Sequence, residues 1–86
     1  VPYTILLNKK IKKVIEDVEE KDRKRLKLKL QNLSKNPTPP DTKKIRGKYR
    51  NLFRIRVGDL RILYIIDHSI KEIIVVKINK RNTVYR

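Results

Sequence analysis

The chain has no cysteine in its 86 residues, which excludes disulfides and thiolate-bound metal. It has a single histidine, His68, so a histidine-based metal centre is not expected, nor is a cofactor. Its two glycines, Gly47 and Gly58, stand 11 positions apart. That is too few and too widely spaced for a phosphate-cradling P-loop or a dinucleotide fingerprint. No apolar run approaches the roughly 20 residues that a membrane helix needs, and nothing resembles a signal peptide. Acids are scarce, nine in all. Asp59 falls in a turn and Asp67 at a strand end, so no carboxylate pair has an evident acid–base geometry. These absences predict one soluble, cytoplasmic domain over residues 1–86, near the lower size at which one hydrophobic core suffices.

What the sequence does have is positive charge: 24 lysines and arginines give a formal net charge of +15. Such a density repels itself within a compact fold and attracts polyanions by displacing their condensed counterions. Lys43, Lys44, Arg46, Lys48, Arg50, Arg54 and Arg56 lie within 14 residues that contain no acid. A cluster of this kind points to nucleic acid as the principal ligand, with an acidic protein as the other natural way to neutralise it. Scattered helix lysines, by contrast, are read as solvated surface.

The periodicity of the apolar residues changes along the chain. Tyr3 to Leu7 reads as a short strand, and Asn8 is placed to cap the next element. Ile11, Val14, Ile15 and Val18 recur at helical spacing, giving an amphipathic helix from Lys9 to about Glu20. With Asp22 as a second cap, Leu26, Leu30 and Leu33 mark another helix, stopped by Asn36, Pro37, Pro39 and Pro40. Beyond a basic loop, Lys43 to Asn51, alternation takes over. Leu52 to Val57, Leu60 to Asp67 and Glu72 to Ile78 read as an antiparallel three-stranded meander. The predicted class is α+β: an N-terminal strand, a helical hairpin and the meander, with both helices on one sheet face.

Gly58-Asp59 is a two-residue turn with glycine first, as type II′ prefers, so Val57 pairs with Leu60. Counting outwards sets Arg56 opposite Arg61, Ile55 opposite Ile62, Arg54 opposite Leu63 and Phe53 opposite Tyr64. Opposed residues share a face. One side is therefore apolar and should meet the helices, while Arg54, Arg56 and Arg61 converge on the other. Like charges directly across a strand pair are destabilising. Their convergence fits an anion site, because guanidinium groups offer forked donors that match phosphate oxygens. The second hairpin, around His68-Ser69, leaves its register open, and with it whether Lys77 joins the basic face.

RNA can be cut by its own 2′-hydroxyl if that hydroxyl is deprotonated, the charged pentavalent phosphate is stabilised and the leaving 5′ oxygen is protonated. Fixed cations perform the second task. Candidates for the other two are sparse, since His68 falls in a turn and reads as solvated. The tail adds Lys80, Arg81, Tyr85 and Arg86, where a tyrosine could orient a proton, stack on a base or simply pack.

Lys44-Ile45-Arg46-Gly47, the run Leu52-Phe53-Arg54-Ile55-Arg56-Val57-Gly58-Asp59-Leu60-Arg61-Ile62-Leu63-Tyr64, and the tail Lys80-Arg81-Asn82-Thr83-Val84-Tyr85-Arg86 together resemble the RelE/ParE toxin superfamily. The hairpin pattern Arg-x-Arg-Val-Gly-Asp-x-Arg-x-x-Tyr is its most specific part, and the element order matches over the whole chain. The resemblance implies a toxin of a toxin–antitoxin pair. In RelE-type members, the toxin enters the ribosomal A site and cuts mRNA there by metal-free 2′-hydroxyl attack. It implies the small ribosomal subunit, mRNA and a cognate acidic antitoxin as partners, the last in a hetero-oligomer. By position, Arg61 and Arg81 would hold the phosphate, Arg54 or Arg56 would assist proton transfer or offset charge, and Tyr85 would orient or stack the nucleotide. Lys44, Arg46, Lys48, Lys80 and Arg86 would bind RNA around them. Some members carry lysines where Arg54 and Arg56 stand, and arginine, which holds its proton too firmly, is a poor general base. Two other readings fit the same residues: a ParE-like inhibitor of DNA gyrase without nuclease activity, and a non-catalytic RNA-binding protein.

Overall fold

The computed structural model describes residues 2–45 and 52–80. The N-terminal strand, β1 (Thr4–Leu6), runs into Asn8, whose side-chain oxygen accepts the backbone N–H of Ile11 at 2.8 Å. This is the expected cap, and it opens α1 (Lys9–Asp17). The helix ends about three residues earlier than its apolar spacing predicts. Arg23 explains how: its guanidinium donates to the carbonyls of Ile15 at 3.3 Å, Glu16 at 3.0 Å and Val18 at 3.1 Å. A cation there satisfies orphan carbonyls and complements the negative end of the helix.

α2 (Glu20–Lys35) begins before Asp22, so that residue is not the cap; it lies in the first turn with Glu20, where acids favour the positive helix end. The helix stops at Lys35, ahead of the prolines as predicted. Ile11 and Ile15 of α1 and Leu26, Leu30 and Leu33 of α2 are the buried stripes.

Among the described residues the sheet has five strands rather than the predicted four. After the linker comes β2 (Lys43–Lys44), a two-residue edge strand within the segment read as a loop. It has no apolar alternation to betray it, and it exists through pairing of Lys43 with Arg54 and Lys44 with Phe53. The remaining strands are β3 (Leu52–Val57), β4 (Leu60–Asp67) and β5 (Glu72–Lys80), and the spatial order is β1-β5-β4-β3-β2. β1 runs parallel to its neighbour, pairing Thr4–Leu6 with Glu72–Ile74 of β5, and the other described pairs are antiparallel. Ile55, Ile62, Tyr64, Ile66 and Ile73 form the middle of the core beneath the helices, each essentially inaccessible to solvent.

The first hairpin follows the counted register from Val57↔Leu60 to Phe53↔Tyr64. Gly58 has φ +60°, and the only other positive φ among the described residues is that of Lys71, so Asp59 keeps a negative φ as type II′ requires. The second hairpin's open register is settled by the pairs Leu63↔Lys77 and Tyr64↔Val75, which leave Val76 as a bulge. Its turn is held by Asp67, whose carboxylate accepts the hydroxyl of Ser69 at 2.6 Å and its N–H at 3.0 Å. His68 is exposed there, with Nδ1 2.6 Å from the Tyr3 hydroxyl.

Candidate nucleic-acid interface

The sheet face turned away from the helices is organised in rows, because paired residues on neighbouring strands lie side by side. At one end, Thr4, Glu72 and Asp67 make a polar row. Next comes an apolar row across four strands: Leu6, Ile74, Ile65 and Leu52. The third row is Lys77, Leu63, Arg54 and Lys43, and the fourth Asn79, Arg61 and Arg56. Charge thus rises from one end of the face to the other, and these cations stand on strands, which hold them more precisely than a loop would.

Burial grades the arginines. Arg61, on the central strand, is 9% exposed, Arg54 is half-buried and Arg56 is exposed. A guanidinium drawn this far out of water interacts more strongly with a neighbouring anion than one on an open surface. At this end of the face, Asp41, Lys43, Arg54 and Arg56 line a cleft of about 250 Å³. Asp41 also lies 3.4 Å from the Lys29 ammonium of α2.

The linker that brings Asp41 and Lys43 here is fixed from below. Tyr64 is fully buried in the core, and its ring stacks on Phe53 with centroids 5.9 Å apart. Its hydroxyl donates to the Pro37 carbonyl at 2.8 Å and lies 3.2 Å from the Thr42 hydroxyl. Burial pushes its pKa above the usual phenol value, opposed by the Thr42 hydrogen bond and reinforced by the negative charge of Asp41.

Of the residues predicted from sequence, Arg54, Arg56 and Arg61 come together on one face as counted. Lys44 shares the side of Phe53, whereas its neighbour Lys43 stands beside Arg54. Arg46, Lys48, Arg81, Tyr85 and Arg86 lie outside the described residues, as does the side chain of Lys80. Three residues were not assigned to the site from sequence. Lys43 needed the β2 pairing, Lys77 the bulge, and Asp41 a linker course that no sequence pattern encodes.

The family described as the ParE toxin of type II toxin–antitoxin systems, parDE, matches residues 3–85. A curated relative from Methanocaldococcus jannaschii bearing the name RelE1 is 26% identical over 87 residues, covering 98% of this chain and 96% of its own length. Among solved structures, the archaeal RelE–RelB complex from Pyrococcus horikoshii superposes with a TM-score of 0.85 at 24% identity, over 98% of this chain and 100% of that one. The RelB–RelE antitoxin–toxin complex from Methanococcus jannaschii gives 0.72 at 29% identity, over 95% and 94%. With a family match across nearly its whole length and a RelE-type arrangement of helices and sheet, the chain belongs to the RelE/ParE superfamily of toxins from type II toxin–antitoxin systems.

Proposed function

We propose that this toxin is a ribosome-dependent endoribonuclease that cuts mRNA in the A site. The observation that carries the reading is the pairing of Arg56 with Arg61, with Arg54 two residues along, on the sheet face opposite the helices. Guanidinium groups so fixed can grip the scissile phosphate by forked hydrogen bonds and stabilise the extra negative charge of its pentavalent state. The 2′-oxygen attacks phosphorus as its proton leaves, the bond from phosphorus to the 5′ oxygen breaks, and that oxygen takes up a proton. Arg61 and Arg81 hold the phosphate in this scheme, Arg54 and Arg56 offset charge, and Tyr85 orients or stacks the nucleotide. Proton transfer falls to the tail or to the ribosome, since a guanidinium group is a poor general base. No step calls on a metal ion.

The partner that silences the toxin is an acidic antitoxin. The RelB in the two solved complexes supports this, and so does the charge of +15. The test expresses wild-type protein, Arg61→Ala and Arg81→Ala and follows translation and mRNA ends. Arrest with cleaved mRNA is expected for wild type alone, with both variants folded. Undiminished arrest in both variants would sink the site assignment.

The family's description as ParE favours a second reading, inhibition of DNA gyrase. That activity leaves mRNA intact and changes plasmid supercoiling, so the same cultures separate the two.

A further inference from the structure

A buried phenol hydroxyl must find partners, and both partners of Tyr64 belong to the linker between α2 and β2. The stretch from Pro37 to Thr42 is stiffened by three prolines and closed by the Thr42 N–H donating to the Pro39 carbonyl at 2.9 Å. One oxygen therefore ties both ends of a short, stiff segment. The next residue is Lys43, which pairs with Arg54 and lines the cleft. β2 is a two-residue edge strand with little ladder of its own, so its place depends on what precedes it.

We propose that the Tyr64 hydroxyl is a positioning group for the basic cleft: by holding Pro37 and Thr42 from inside the core, it sets where β2 carries Lys43 beside Arg54. Tyr64 is inaccessible to solvent and touches no RNA; it acts through Lys43. The inference rests on the reading of that cleft as an RNA-phosphate site.

Tyr64→Phe removes one oxygen and keeps the ring on Phe53, while Thr42→Val removes the hydroxyl partner from the linker side. Two measurements are made on the full chain: amide hydrogen exchange, and the affinity for a short single-stranded RNA by fluorescence anisotropy at fixed salt. Both variants should speed exchange at Lys43 and Ile45, whose N–H groups face β3, and leave β4 and β5 protected. Binding should weaken roughly three- to tenfold, the scale of one or two net hydrogen bonds. In a Lys43→Ala background, Tyr64→Phe should cause no further loss, because the hydroxyl works through that lysine.

Unchanged exchange in β2, or an equal loss of affinity with and without Lys43, overturns the proposal and leaves Tyr64 as a purely structural residue. Should wild-type protein bind no RNA, the reading of the cleft fails instead, and the exchange result decides the positioning role by itself.

Discussion

Arg56 and Arg61 face each other directly across β3 and β4, on the side of the sheet turned away from α1 and α2. Two cations so placed cost the fold a few tenths to about 1 kcal/mol. Arg56→Gln should therefore raise the melting temperature, by at most about 4–8 °C for a chain of this size, while weakening RNA binding. Calorimetry and anisotropy on the same preparation check both signs. A lower melting temperature would show that Arg56 stabilises the fold, contrary to the repulsion argument.

Gly58 is a turn position where a side chain would be penalised by the backbone. At φ +60° a Cβ would also lie 2.9 Å from the Arg25 guanidinium, but that is the far end of a flexible side chain and can move. The cost is thus set by φ: Gly58→Ala should destabilise by about 1–2 kcal/mol, read as a shift of the urea midpoint at constant slope. An unchanged midpoint would refute the turn assignment.

Alkaline titration reports on Tyr64. Its native pKa is raised by burial, so the folded state keeps a proton that the unfolded chain releases near pH 10. The resulting stability is fully present below about pH 10 and is lost as pH rises from there through the native value. Tyr64→Phe cannot lose it. The difference in stability between the two proteins should narrow above pH 10, with lysine titration common to both. A difference that stays flat to higher pH contradicts the buried phenol.

Asp67 gives the opposite sign at the acid end. The Ser69 hydroxyl, aided by the N–H groups of Ser69 and Ile70, holds its pKa below the usual carboxylate value. Its contribution is present above about pH 4, the unfolded value, and fades as pH falls through the native one. Asp67→Asn should flatten that part of the melting profile. Equal acid dependence in both proteins would argue against it.

The first hairpin was legible residue by residue because a two-residue turn leaves no freedom in register, and a wrong register would turn Arg54 and Arg56 into the core. The helices were legible from their leucine and isoleucine stripes, though their junction was not. It is set by Arg23 reaching back to α1, a contact between residues that no periodicity links. β2 was invisible for a related reason: two lysines become a strand only because Arg54 and Phe53 offer them a partner. The site followed the same division. Its arginines could be counted, while Lys43, Lys77 and Asp41 depend on an edge pairing, a bulge and a linker.

The bulge at Val76 has a bearing on how the toxin could be altered. An extra residue in one strand sharpens local twist and bend without changing which side its flanking residues occupy. Here it separates Ile74, in the apolar row, from Lys77 and Asn79 at the cationic end. Removing Val76 would restore regular pairing and leave every neighbour on its present side. The apolar and cationic halves would then differ from wild type only in their mutual angle, making this one residue a dial for geometry at constant chemistry.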